Sequence, residues 1–178
     1  MYLGITAPVV QVVGYQNSGK TTLIEHLLQN ASDHGLKIGT IKHHGHGGKL
    51  LLSDESKDTG KHRRAGAVAT SIEGEGIYQL TMNSTSFSLE KMIEIYSYLE
   101  IDSIIVEGFK NKGYPKVVLI RNKKDIELLE KCSNVKAVIS WLSDNCNYSD
   151  STGISYFHIS QRRQYIPWII NKLMRGVL

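Results

Sequence analysis

The sequence predicts an α/β domain, a mostly parallel sheet flanked by helices, with a β-hairpin inserted in it. Three observations predict it. A Gly-rich pattern, "GYQNSGKT", runs from Gly14 to Thr21 and fits the phosphate loop G-x-x-x-x-G-K-[ST]. A valine-rich strand precedes it and an amphipathic helix follows, then another strand, which is a βαβ unit and demands parallel pairing. A later buried run, "SIIVEGF", ends in Glu-Gly, where open α/β sheets carry their sites. Together these predict a P-loop NTPase-like sheet.

The elements follow in order. "VVQVVGY" (9–15), bounded by Pro8 and Gly14, reads as a buried strand. From Lys20, the residues Leu23, Ile24, Leu27, Leu28 and Ala31 share one helical face, and Gly35 stops the helix. "KIGTIKH" (37–43) is a strand. Residues 43–62 lose periodicity and read as a long polar loop, of the kind that is functional or mobile. Two β-rich runs flank "EGEG" within 67–82, a hairpin signal. A helix is expected over 88–99, strands over 103–109 and 116–121, a brief helix in "IELLEKC", a strand in "VKAVISW" and a weak one in "ISYFHIS". The stretch from Ser160 to Met174 reads as a helix in which Pro167 marks a kink or a late start. Residues 1–178 are therefore expected to form a single nucleotide-binding domain with an inserted loop and hairpin at about 43–82.

Bulk properties narrow the function classes. A net charge of +4 suits a polyanionic small ligand. The densest basic run, "RNKK" at 121–124, is too short for a nucleic-acid footprint. No apolar run reaches the ~18 residues that would suggest a membrane span. The N-terminal stretch leads into the first strand without a basic segment and is expected to be no signal peptide. Cys132 and Cys146 are too few for a disulfide framework, so a reducing cytoplasm is expected.

The chemistry rests on the phosphate loop. A phosphate chain gathers several negative charges, and the protein must meet them with donors that take no room. Glycines let backbone N–H groups curve toward the oxygens, and the next helix adds the positive end of its dipole. Lys20 reaches the β- and γ-phosphates, the Thr21 hydroxyl ligates Mg²⁺, and Thr22 donates to a further phosphate. Glu107, at the end of its strand, is the candidate acid on the metal side. Lys20 is also the candidate catalytic residue, through charge neutralisation, and no side chain stands out as a base.

In the loop that follows, Asp54 is a candidate outer metal ligand and Arg63 or Arg64 a candidate phosphate neutraliser; a solvated loop charge is the plain alternative for each. His43, His44 and His46 invite a metal, but no partner group of zinc spacing accompanies them. "VLIRNKKD" contains Asn122, Lys123 and Asp125 in the order of a guanine-reading N-K-x-D. Too few residues separate Glu107 from Asn122 for the strand-and-helix unit that a Ras-like order puts between them. A base-reading loop falls more naturally after "VKAVISW", where Ser140 and Trp141 stand without a readable guanine code.

The blocks "VVGYQNSGKTTLIEHL", "GTIKHHGHGG", "KDTGKHRRAGA" and "IIVEGFKNKGYPKVVLIR" resemble, in that order, the molybdopterin-guanine dinucleotide biosynthesis protein B family, MobB. The resemblance covers most of residues 8–121 and is loose beyond 122. It implies a P-loop fold that binds GTP with Mg²⁺ and hydrolyses it slowly at best, and homodimers in which the inserted hairpin takes part. It implies work beside a MobA-type guanylyltransferase, and with other molybdenum cofactor proteins, as an adapter or GTP supplier. Carried over, Gly14, Tyr15, Gln16, Asn17, Ser18, Gly19, Lys20, Thr21 and Thr22 hold phosphates, with Thr21 and Glu107 beside the metal. Asp58 and Arg63 lie near the nucleotide or cofactor. The chain departs from the family where "HHGHGGKLLLSDES" lacks an acid directly after the histidines, which leaves Asp54 and Glu55 as the acidic candidates there. Two other classes stay open on the residues alone: a small-molecule P-loop kinase or transferase, and a nucleotide-dependent metal-insertion chaperone.

Overall fold

The computed structural model describes residues 7–45, 48, 50–83, 87–143, 153–176 and 178. His46 and Cys146 lie outside them, as does the N-terminal stretch before Ala7. The chain forms two compact units, one from the segment up to His43 together with Leu89–Leu178, the other His44–Ser88.

The larger unit is a six-stranded sheet. Its strands are β1 (Val9–Val13), β2 (Ile38–Lys42), β5 (Ser103–Glu107), β6 (Lys116–Ile120), β7 (Val135–Ser140) and β8 (Ser155–His158), in the order β2-β5-β1-β6-β7-β8. Every pairing is parallel. Alternation along the strands sorts the core to two faces. Val10, Val12, Ile105, Val117, Leu119 and Ile139 pack against α1 (Lys20–Asp33) and α5 (Arg162–Met174). On the other face Ile41, Ile104 and Val106 meet α3 (Leu89–Tyr96), while Val118, Ile120 and Val138 meet α4 (Glu127–Lys131). Runs such as "SIIV" and "KVVLI" are continuous rather than alternating because both faces are covered. α5 starts at Arg162 and carries Pro167 inside it, so the proline does not delay the start.

β1 lies between β5 and β6, so the chain leaves β1 toward one side of the sheet and returns on the other. That reversal opens a crevice at the carboxyl ends of the strands. The loop after β1 begins there.

The smaller unit holds α2 (Asp58–Arg64) and the antiparallel pair β3 (Ala69–Gly74) and β4 (Ile77–Met82). Glu75 and Gly76 make the two-residue turn, both with positive φ (50° and 81°), as a hairpin of right-handed twist requires. α2 replaces the end of the expected irregular loop. It lacks an apolar face for periodicity to reveal; Asp58 in its first turn and Lys61, His62, Arg63 and Arg64 in its last complement the helix dipole.

Candidate functional site

The Gly14–Gly19 loop stands where the motif predicts, between β1 and α1, and Lys20, Thr21 and Thr22 open the helix. Gly14 is there for space: a β-carbon on it would come 2.4 Å from Ser18 Oγ and 3.2 Å from the Leu119 carbonyl oxygen. Asn17 and Gly19 turn through positive φ, 58° and 90°, and Gly19 is the N-cap of α1. At this end of the helix the Leu23 N–H donates to the Gly19 carbonyl at 2.9 Å. The amides of Lys20, Thr21 and Thr22 therefore precede the helix ladder and face an incoming ligand. Ser18 Oγ is buried without a hydrogen-bond partner among the described residues. A glycine-lined loop, free amides and an orphan hydroxyl make a cradle that fits phosphate.

Around it the side chains are poised for charge. Lys20 Nζ donates to the Tyr15 carbonyl at 2.7 Å, folded onto its own loop. Burial lowers its pKa, the Glu107 carboxylate works against that, and Lys42 adds to it. Glu107 is mostly buried and pairs with Lys42 Nζ at 3.3 Å from the neighbouring β2. Thr21 and Thr22 are exposed at the helix start. Thr21 and Glu107 thus offer a hydroxyl and a carboxylate at the crevice, the hard oxygen donors Mg²⁺ takes, with phosphate and water to complete its shell. Among the described residues no group of three or more His, Cys, Asp or Glu forms a metal cluster by itself. His43 stacks against Phe109 with ring centroids 4.6 Å apart, and His46 lies outside the described residues.

Two supporting residues, Gln11 and Arg121, escaped the motif, and Tyr15 within it makes a contact the motif does not foretell. Gln11, fully buried in β1, donates through Nε2 to the carbonyls of Gly108 (3.0 Å) and Phe109 (2.9 Å). It clamps the turn after Glu107, where both residues have positive φ. A polar residue amid "VVQVV" was the available signal. The Tyr15 hydroxyl donates to Glu127 Oε1, which ties the phosphate loop to α4; that bond raises the Tyr15 pKa. Arg121 reaches the Asn17 carbonyl at 3.5 Å.

The N-K-x-D run proves to be a cap. Asn122 Oδ1 accepts from the Lys124 N–H at 2.9 Å, and the buried Asp125 accepts from the Arg121 N–H at 2.9 Å. Both side chains serve a 3-10 turn over Lys123–Ile126.

Asp58 and Arg63 belong to the smaller unit. Arg63 forms a two-pronged pair with Asp54, 2.7 Å to Oδ2 and 2.5 Å to Oδ1, and also donates to Thr70 Oγ1 at 2.9 Å. The Arg63 bonds, with the Thr59 hydroxyl, hold the Asp54 carboxyl well below the usual range. Asp58 pairs with Lys61 at 2.8 Å.

Residues 9–141 match the family model described as molybdopterin guanine dinucleotide synthesis protein B. The chain belongs to the MobB family. It is 44% identical over 85% of each chain to a Bacillus subtilis protein called a probable molybdopterin-guanine dinucleotide biosynthesis adapter protein. The crystal structure of Bacillus subtilis MobB superposes with a TM-score of 0.77 at 40% identity, over 96% of this chain and 98% of that one. A MobB homologue from Bacillus stearothermophilus gives 0.74 at 34%, over 94% and 99%. The resemblance read in the four sequence blocks and the mostly parallel α/β architecture are both borne out.

Proposed function

We propose that this chain is a GTP-binding adapter of molybdopterin-guanine dinucleotide biosynthesis. It would work in the cytoplasm beside a MobA-type guanylyltransferase and other molybdenum cofactor proteins. The observation that carries the reading is the Gly14–Thr22 cradle at the switch point of a MobB-family sheet, with Glu107 on the adjoining strand. The names of the relatives support the pathway.

In this reading the loop amides and Lys20 bind the phosphates, and Lys20 leaves the Tyr15 carbonyl to do so. Thr21 and Glu107 would hold Mg²⁺. When bound, the metal would supply charge neutralisation to the phosphate chain. No side chain of the sequence stands out as a catalytic base, which fits slow hydrolysis at most. Asp58 and Arg63 would serve the nucleotide or cofactor from the smaller unit, with the Asp54 pair setting the position of Arg63. Tyr78, Leu80 and Met82 share one face of the hairpin and are exposed, which suits a homodimer contact.

Calorimetric titration of the Mg²⁺-loaded protein with GTP and with ATP tests the proposal. GTP is expected to bind more tightly, and Lys20→Ala to weaken it by about 10- to 100-fold, the worth of a charge-assisted hydrogen bond. Tighter ATP binding would overturn the guanine reading, and binding indifferent to Lys20→Ala would overturn the cradle.

A further inference from the structure

We propose that Trp141 is the platform on which the nucleobase stacks, and that it favours purine over pyrimidine nucleoside triphosphates. The inference rests on the nucleotide reading above and adds a residue that the phosphate loop does not contain.

Four observations lead to it. Trp141 is the first residue after β7, at the carboxyl edge of the sheet where the cradle lies. The Cζ2 edge of its ring stands 3.7 Å from the point a β-carbon on Gly19 would occupy, so the ring flanks the N-cap of α1. Its backbone is held: Trp141 N–H donates to the Ile120 carbonyl at 2.9 Å, and the next N–H, of Leu142, to Ser140 Oγ at 3.0 Å. Yet the side chain is 48% exposed, although the sheet buries almost every large apolar group around it. A half-open indole on a hydrogen-bonded backbone, beside a phosphate cradle, is what a flat aromatic ligand needs.

The competing candidate for the base is committed to a local turn. Asp125 is buried and accepts from the Arg121 amide, and Asn122 Oδ1 caps its own turn, so both side chains of the N-K-x-D run are engaged in local structure. Stacking on an aromatic side chain accepts any base through its π-face and carries about 1–3 kcal/mol per base, or roughly 5- to 150-fold in affinity. The larger purine face gains more. Trp141 thereby supplies affinity and a size preference, and leaves the choice between guanine and adenine to hydrogen-bonding groups.

The test uses the full chain with Mg²⁺ and three probes: GTP, CTP and inorganic tripolyphosphate. The sequence contains two tryptophans, so Trp168→Phe makes Trp141 the sole indole reporter. GTP is expected to quench its emission saturably, while tripolyphosphate binds by calorimetry without the quench. Trp141→Ala should weaken GTP about tenfold, shrink the GTP-to-CTP ratio and leave tripolyphosphate affinity unchanged, and Trp141→Phe should restore most of the GTP affinity. Wild-type GTP affinity in Trp141→Ala overturns the platform. So does an equal loss of GTP and tripolyphosphate, which marks damage to the loop. A wild-type protein that binds neither GTP nor tripolyphosphate overturns the nucleotide reading, and the platform falls with it.

Discussion

Lys20 sits between opposing influences. Burial drives its pKa below the ordinary 10.5, the Glu107 carboxylate pulls it back up, and Lys42 pushes it down. A bound phosphate chain would favour the protonated form, so binding and protonation are linked. Above the pKa of the free protein, each bound nucleotide must bring a proton with it, and affinity falls as pH rises. The loss is therefore expected to begin below 10.5, and at a lower pH still in Glu107→Gln, where the carboxylate that raises the Lys20 pKa is gone. Calorimetry across alkaline pH, in two buffers of different ionisation heat, measures the proton uptake directly. An affinity flat up to the ordinary lysine value would refute the linkage. Lys20 itself was legible in the sequence, because its role follows from chain-local geometry. Its neighbours Lys42 and Glu107 come from two different strands, and their ion pair exists only once β2 and β5 are paired.

The elements divide by the kind of signal they carry. β1, α1, β5 and β6 announce themselves through apolar pattern because they line the core. α2 does not; its stability comes from fixed polar contacts. Arg63 and Asp54 lock it to the preceding loop, and Thr70 ties it to β3. Gly60 is the tightest point: a β-carbon would come 2.4 Å from the carbonyl oxygens of both Asp54 and Glu55, and backbone cannot yield as a side chain can. Gly60→Ala should therefore destabilise the smaller unit by about 2–3 kcal/mol, the upper end of overpacking costs. Hydrogen exchange should show lost protection in α2 and the hairpin with the β1–α1 amides unaffected. Unchanged protection in α2 would show that the loop gives way freely. The N-K-x-D run carries the reverse lesson: four residues matched a base-reading pattern, and hydrogen bonding made them a helix cap.

At the scale of the molecule, the sheet and the hairpin have different needs. The six-stranded sheet is covered on both faces and complete in itself. A two-stranded hairpin is marginal in water, and this one exposes Ile72, Ile77, Tyr78, Leu80 and Met82. A second copy laid against the Tyr78–Leu80–Met82 face would bury that surface. Light scattering at micromolar concentration should thus give twice the 19.9 kDa chain mass, and Leu80→Asp should return the monomer. A wild-type monomer, or a dimer indifferent to Leu80→Asp, would remove the hairpin from the interface.

By itself the sequence determined the glycine loop between the first strand and the first helix, most of the order of the elements, and the family. Each is written in contiguous residues: glycines where amides must converge, a strand before and a helix after, four blocks in order. The tertiary structure decided which strands flank β1, that Gln11 clamps the turn after Glu107, that Lys42 covers the Glu107 carboxylate, and that Trp141 rather than the N-K-x-D run stands open beside Gly19. These depend on contacts between residues far apart in the chain, and no local pattern encodes a distance that only sheet pairing creates.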